Sequence, residues 1–594
     1  GGGWPLTCFL TPDDHIPIVV GTYFPKEARY GMPPFKQVLT QVENYFRRYP
    51  DEIAARGASL LEALGKLQAS PAGTAGPLSR EPLERARDRL AAAFDAQHGG
   101  FGGAPKFPHA TALELLLEYS AGADADRSRG RKAEEAGRIV RFTLDRMARG
   151  GLYDQLGGGF FRYSVDQSWS IPHFEKMLYD NAELLSLYSD AFAATGEPLY
   201  RRVASETADW VVRAMQDAQG GYYSTLDADS EGEEGKYYLW TPEEFDAALT
   251  GPEAAVAKRT FGLDDASNFE GRAWHLSRAE SSEAPGRDAK TEQNEQNGQN
   301  ERNDPPALLA RARSRLLEAR EQRVPPGRDE KLLVSWNGLM IRGMAKAARR
   351  LGRPELAASA TRAVDFIRAE LCRDGRLCAT YKDGRARLSG YLDDYAFLAD
   401  GLLELLEQRW RTEDLELAVA LTDVVLAHFE DANGGFFFTA DDHEKLIHRP
   451  KPWLDEALPS GNAVMLRVLL ELGALLGERR YEDSGERGLK AALPSAAHYP
   501  DAHAALMLAL ARYLEPPELI VVRGEPGELP SWRAIVEAEY APRRSAYCIP
   551  NDAPRLPGLL AERAARGAAV AYVCLGTECR APITDREELR TALE

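Results

Sequence analysis

The chain has 594 residues, 44% hydrophobic and 28% charged, and its 73 Lys and Arg against 91 Asp and Glu give a formal net charge of −18. This is the composition of an ordinary globular protein with ample apolar material for a core, which excludes global disorder; at roughly 150 residues per domain the length sets an expectation of about four domains. So acidic a chain is excluded as a binder that neutralises nucleic-acid phosphates or anionic membranes, and no apolar run nears the roughly 20 residues of a membrane span.

In chain order, Gly1-Gly2-Gly3-Trp4-Pro5 leads directly into a strand-like run, Leu6 to Leu10. No basic-then-apolar segment opens the chain, so no signal peptide is read and the chain is read as beginning inside a domain. Thr11-Pro12-Asp13-Asp14 is a turn signal before a second strand-like run, Ile16 to Val20, and a helical stretch is expected from about Pro34 to Leu67. Residues 69–78 have the Ala, Ser, Pro and Gly content of a linker. From about 79 to 515 apolar residues recur at helical spacing, as at Leu113, Leu116 and Leu117 or at Leu402, Leu403 and Leu406. Within that stretch, residues 278–305 hold a polar low-complexity run expected to be a disordered insertion. Beyond Pro516-Pro517, strand-like runs at 519–522, 546–549 and 569–573 with a helix over roughly 528–538 read as a small α/β unit lacking a phosphate-loop glycine pattern. The six cysteines (Cys8, Cys372, Cys378, Cys548, Cys574 and Cys579) are too sparse for a secreted disulfide scaffold and include no Cys-x-x-Cys pair. They point to a reducing, cytoplasmic compartment, with Cys574 and Cys579 as two ordinary thiols beside a strand.

A period organises the helical stretch. Gly99-Gly100-Phe101, Gly158-Gly159-Phe160, Gly220-Gly221-Tyr222 and Gly434-Gly435-Phe436 recur, with Asp374-Gly375-Arg376-Leu377 as a weaker member. Neighbouring turns lie about 60 residues apart, the length of one helical hairpin with its loops. The span from Gly220 to Gly375 is read as about two periods plus an insertion. Such hairpins build a closed toroid of paired helices, with an open solenoid as the alternative, and the aromatic after each Gly-Gly is expected to line a central cavity.

Polar and aromatic residues concentrate beside these turns. The first cluster holds Tyr153, Asp154, Arg162, His173 and Glu175, with Pro172 read as a helix start. The second, Asp227 to Glu234, places Asp227 and Asp229 among five acids, either an acidic surface loop or a catalytic carboxylate with a neighbour that raises its pKa. The spacing is not that of a calcium loop, and no metal site is read. The third cluster opens a helix with Trp336 and Asn337, an indole face beside an amide that suits a pyranose ring. The fourth holds Tyr391 and Asp394; in a fifth, Ser460 is read as a helix cap.

Several of these segments together resemble one family. Gly2-Gly3-Trp4-Pro5-Leu6, Thr11-Pro12-Asp13, Gly21 to Pro25, Lys106 to His109, the blocks 151–181, 227–240, 329–340 and 390–397, and Cys574 and Cys579 followed by Ala581-Pro582-Ile583-Thr584-Asp585 look like the family of spermatogenesis-associated protein 20 and its bacterial thioredoxin-domain homologues. The resemblance implies a mainly α chain: a partial thioredoxin-like domain over 1–75, an (α/α)6 toroid of the six-hairpin glycosidase type over 79–515, similar to the toroids of N-acylglucosamine 2-epimerases, and the α/β unit over 516–594. It also implies that Pro5 matches the cis-proline of a thioredoxin site, while the family's dithiol motif falls upstream of Gly1.

The reading that follows is a sugar-active site in the toroid, epimerase or glycosidase, needing no cofactor. His173, Glu175, Asp227, Asp229 and Asp394 are its candidate catalytic residues. Tyr153, Asp154, Arg162, Trp336, Asn337 and Tyr391 are its candidate substrate-binding residues. The partner is a small sugar-like molecule, not nucleic acid or membrane, and oligomeric state is left open. The alternatives are a thioredoxin-fold redox protein and a non-catalytic binding scaffold.

Overall fold

The computed structural model describes residues 6–29, 31–68, 77–122, 127–264, 266–278, 304–576 and 578–593. The readings on Trp4, on Pro5 and on most of the 278–305 insertion lie outside these residues. The helical stretch expected over 34–67 is two helices, Phe35–Arg48 and Pro50–Gln68, parted where Pro50 begins the second. They follow an antiparallel hairpin of Thr7–Leu10 with Pro17–Gly21.

Twelve helices build the centre: α1 (Glu81–Ala93), α2 (Ala110–Ala121), α3 (Arg127–Arg149), α4 (Leu178–Thr195), α5 (Pro198–Trp210), α6 (Val334–Leu351), α7 (Pro354–Phe366), α8 (Leu392–Gln408), α9 (Thr412–His428), α10 (Gly461–Leu476), α11 (Arg479–His498) and α12 (Ala504–Leu514). The even-numbered helices pack successively on one another, and α12 returns to α2. That closure makes an (α/α)6 toroid and excludes the open solenoid. Each inner helix through α10 takes the next odd-numbered helix as its outer partner; α12 takes α1, so the first and last helices share a seam. Inner helices are buried nearly all round, and two close crossings need glycine. A Cβ on Gly338 of α6 would stand 2.5 Å from the Leu398 nitrogen of α8, and one on Gly343 would stand 2.7 Å from the Ala182 oxygen of α4.

The Gly-Gly turns differ in role from the expectation. Phe160, Tyr222 and Phe436 are fully buried wedges in the core and do not line a cavity. Gly158 and Gly159 take φ of 77° and 78°, which turns the chain so that Phe160 points inward. An asparagine from the next inner helix then brackets each wedge. Asn181 accepts from Phe160 N at 2.7 Å and donates to its carbonyl at 3.0 Å. Asn337 does the same for Tyr222, and Asn462 for Phe436. A lysine also bridges an aspartate and the first glycine's carbonyl at three of the turns: Lys106 with Asp95 and Gly99, Lys176 with Asp154 and Gly158, and Lys451 with Asp431 and Gly434.

The Asp374-Gly375 member is instead the tight turn of a hairpin between Cys372–Arg373 and Arg376–Lys382. The span from Gly220 to Gly375 holds one helical pair, α6 and α7, rather than two. The rest is an inserted unit whose helices Pro242–Ala248, Gly251–Phe261 and Pro305–Glu321 enclose a separate core around Trp240, Phe245 and Leu316.

At the C-terminal end, Glu518–Gly524 pairs in parallel with Arg544–Pro550 and antiparallel with Ala569–Leu575. Alternation along these strands sends Leu519, Val521, Tyr547 and Ile549 into the toroid core. Ile520, Val522 and Cys548 face Trp532 and Leu589 of the unit's own helices. Cys574 and Cys579, expected as free thiols, stand directly opposite on adjacent strands and are joined as a disulfide.

Candidate functional site

The connections α4–α5, α6–α7 and α10–α11 are two-residue turns, whereas the loops that enter α2, α4, α6, α8 and α10 are long. Those long loops gather at the inner helices' N-terminal ends and form the mouth of the toroid axis. His173 lies there on a two-residue strand, Pro172–His173, paired with Tyr163–Ser164. The helix expected at Pro172 begins only at Leu178.

Successive contacts tie the mouth together. The His173 ring stacks on Tyr163 at 5.0 Å, its Nδ1 lies 2.7 Å from Glu234 Oε1, and its Nε2 lies 3.7 Å from Glu175 Oε2. Arg162 donates to Glu175 at 2.9 Å and also bonds the Tyr179 side chain. Tyr179 meets Trp336 edge-on, with ring centroids 4.8 Å apart. The Ser335 N–H donates to Asp394 Oδ1 at 2.9 Å. His173, Glu175, Arg162, Trp336 and Asp394 therefore share one wall.

Other expected residues stand elsewhere. Asp227 and Asp229 are exposed on a surface hairpin, and it is Glu234 of that segment that reaches His173. Asp154 is buried against Lys176 and both terminal nitrogens of Arg320, which leaves it no room for a ligand. Tyr153 is buried and donates to Glu206. Asn337 is consumed by its bracket on Tyr222. Tyr391 precedes α8 at the rim, stacked on Phe438 at 5.1 Å. Ser460 caps α10, as expected, accepting from Ala463 N.

Four acids at or just below the mouth escaped the sequence reading: Asp180, Glu183, Asp393 and Asp455. Burial holds the Asp180 carboxyl well above the usual range despite Arg162, and its Oδ2 is buried without a hydrogen bond among the described residues. Glu183, one turn deeper on α4, is raised by burial and then by Glu114 and Asp180. Burial, helped by Asp394, pushes Asp393 up to about 7, and its Oδ1 is likewise unpartnered. Asp394 is pushed up to about 7 by burial against the N–H donors of Tyr391 and Ser335. Asp455 is pushed up to about 6 by burial although Ser460 N and Ala505 N donate to it. The available signal is the 3–4 spacing of acids on an otherwise apolar helix, as at Asp180, Glu183 and Asp190 of α4.

The raised Asp393 value has a signed consequence. The folded chain favours the protonated form, so this stabilisation is complete below the ordinary carboxylate range and is lost as pH climbs through about 7. Asp393→Asn, which mimics the neutral acid, is expected to flatten the fall in stability between about pH 5 and about pH 8. Urea denaturation of both proteins at the two pH values checks this; an identical fall in both assigns it to other groups.

Below the mouth the axis is filled by ion pairs. Arg342 binds Glu114 and Asp400, Arg467 binds Asp400 at 2.5 Å, and Lys346 binds Asp190 at 2.5 Å. No helix of the described residues is long and apolar enough to cross a membrane.

A family model described as Thioredox_DsbH, protein of unknown function, DUF255, matches residues 1–65. Cellobiose 2-epimerase from Spirochaeta thermophila DSM 6192 aligns over 74% of this chain and 99% of its own, at 16% identity and a TM-score of 0.42. Spermatogenesis-associated protein 20 of Homo sapiens is 32% identical over 637 residues, spanning 100% of this chain and 79% of the human one, and the Rattus norvegicus protein of that name is 32% identical with the same coverage. With that identity along its whole length, a thioredoxin-like N-terminal domain and a helical toroid, the chain belongs to the spermatogenesis-associated protein 20 family.

Proposed function

We propose that the mouth of the toroid binds a neutral sugar-like ligand and transfers protons on it, as an epimerase or isomerase. The observation that carries this reading is Asp180, whose buried Oδ2 has no hydrogen-bond partner among the described residues and whose carboxyl burial holds well above the usual range beside the Arg162–Glu175 pair. A buried acceptor without a donor is rare in folded proteins, and a ligand hydroxyl supplies one.

Two unlike groups side by side are what proton transfer next to a carbonyl requires. Glu175, fixed by Arg162, is the base that takes the C2 proton of the open-chain sugar, with His173 beside it. Asp180 gives a proton to the carbonyl oxygen, so an enediol forms; returning a proton to the opposite face of C2 gives the epimer, and returning it to C1 gives the isomer. Trp336 and Tyr179 provide the aromatic surface against which a sugar ring packs.

The test is incubation with glucose, mannose, N-acetylglucosamine and cellobiose in heavy water, followed by proton NMR. The expected result is loss of the C2 proton signal and appearance of an epimer or ketose for at least one of them. Absence of deuterium at C2 in all four overturns the reading.

A further inference from the structure

A cavity of about 130 Å³ lies at the end of the axis opposite the mouth, between the C-terminal ends of the inner helices and the α/β unit. A single ordered water needs only about 10–15 Å³ of such space, so the cavity admits a small ionic group together with water. Its charge runs against that of the chain. Nine Lys and Arg side chains line it against seven Asp and Glu, in a protein of net charge −18.

Most of these acids are spent on the bases. At the rim, Arg80 and Arg543 converge on the single carboxylate Glu515. Among the described residues Arg350 gives only its Nε to Asp190, at 3.3 Å, and lies over the Tyr540 ring with its guanidinium carbon 5.6 Å from the centroid. Among the described residues Glu118 joins no ion pair and accepts no hydrogen bond, although it lines the same space.

We propose that this cavity binds a small oxyanion, the phosphate or carboxylate group of a ligand, with Arg350 as its principal anchor and Glu118 as an O–H donor. Arginine terminal nitrogens match such an anion in geometry and charge. Glu118 fits because burial and Glu114 of the same helix push it up to about 7, against the opposing charges of Lys346, Arg467 and Arg512; Tyr540 shares its surroundings from the α/β unit. The site is separate from the mouth and does not rest on the proton-transfer reading.

Calorimetric titration of the full chain with sulfate and with acetate, at low salt, tests the proposal. Sulfate stands for a phosphate group, acetate for a carboxylate, and neither titrates between about pH 6 and about pH 8. Binding of either supports the site, and the tighter of the two identifies the group. Arg350→Gln is expected to weaken binding about tenfold or more, the loss of one charge-assisted hydrogen bond. Arg373→Gln, on an exposed strand away from the cavity, is expected to leave it unchanged. Affinity should fall from about pH 6 to about pH 8 in the wild type and fall less in Glu118→Gln, whose amide keeps a donor at both; Glu407 of the same lining, which burial also pushes up to about 7, still titrates in the variant. Glu118→Gln is nearly isosteric and covers the case in which Arg350→Gln unfolds. No heat with either anion, or equal affinity in the wild type and Arg350→Gln together with an unaltered pH profile in Glu118→Gln, overturns it.

Discussion

Replacing Asp154 by alanine is expected to cost about 3–5 kcal/mol of stability, the penalty for leaving buried charge without its partner. Asp154 is 4% exposed and receives Lys176 Nζ at 2.8 Å and Arg320 at 2.8 and 2.9 Å. Burial alone would raise its carboxyl, but Arg320 and Lys176 overcome that and hold it well below the usual range. Its removal strands two cations in the core and also frees the Leu156 and Gly157 N–H groups that Oδ1 accepts. A loss of this size is a large share of the 5–15 kcal/mol that holds a typical domain together. Chemical denaturation followed by circular dichroism measures it. Asp154→Asn, which keeps the shape and one acceptor, should fall between the wild type and Asp154→Ala; a midpoint for Asp154→Ala equal to the wild type would show that the cluster carries no net stability.

Asp180→Asn is expected to cut proton-transfer turnover by roughly 10²–10⁴-fold, the usual contribution of one general acid. Asparagine copies the size of the neutral carboxyl but has no acidic proton, so the loss should appear in kcat while the thermal midpoint stays near that of the wild type. Glu183→Gln, one turn farther from the Arg162–Glu175 pair, serves as the comparison and should retain most of the turnover. Equal losses in both variants would assign the effect to general disturbance of the axis rather than to Asp180.

The ring of helices is legible because its inner helices repeat apolar residues at 3–4 spacing and because glycine pairs recur in four of the loops that lead into inner helices. The brackets that fasten those turns are not. Asn181 reaches back 21 residues to Phe160, Asn337 reaches 115 to Tyr222, and Asn462 reaches 26 to Phe436, so no fixed offset reveals them. Asp154 and Tyr153 lie among polar residues in sequence, which makes them resemble ligand contacts. The partner that makes Asp154 structural, Arg320, is 166 residues away in the inserted unit. Asp180 and Glu183 failed in the reverse direction. They interrupt an apolar helix, which sequence reasoning assigns to core, and only closure of the ring turns that stripe toward a shared axis. His173, Glu175, Arg162 and Trp336 are candidates on residue type and local density alone, and the contacts His173–Glu175, Glu175–Arg162 and Tyr179–Trp336 link them along one wall.

The seam between α1 and α12 has a kinetic meaning. Beside it, Arg85 donates to the Ala497 carbonyl at the end of α11 across 412 residues of chain, and Arg89 meets Asp501, in the turn that leads into α12, over the same separation. The other five helical pairs form between neighbours in sequence, whereas this junction joins the two ends of the ring, so it carries the longest-range contacts in the toroid, the kind that slows folding. The entropy of closing so long a loop grows only with the logarithm of its length. Until the junction shuts, water reaches the axial ion pairs and weakens them; once it shuts, they strengthen together in a lower dielectric. Ring closure and charge pairing thus become one cooperative event, in which the helix that closes the ring is also the one that dries the centre.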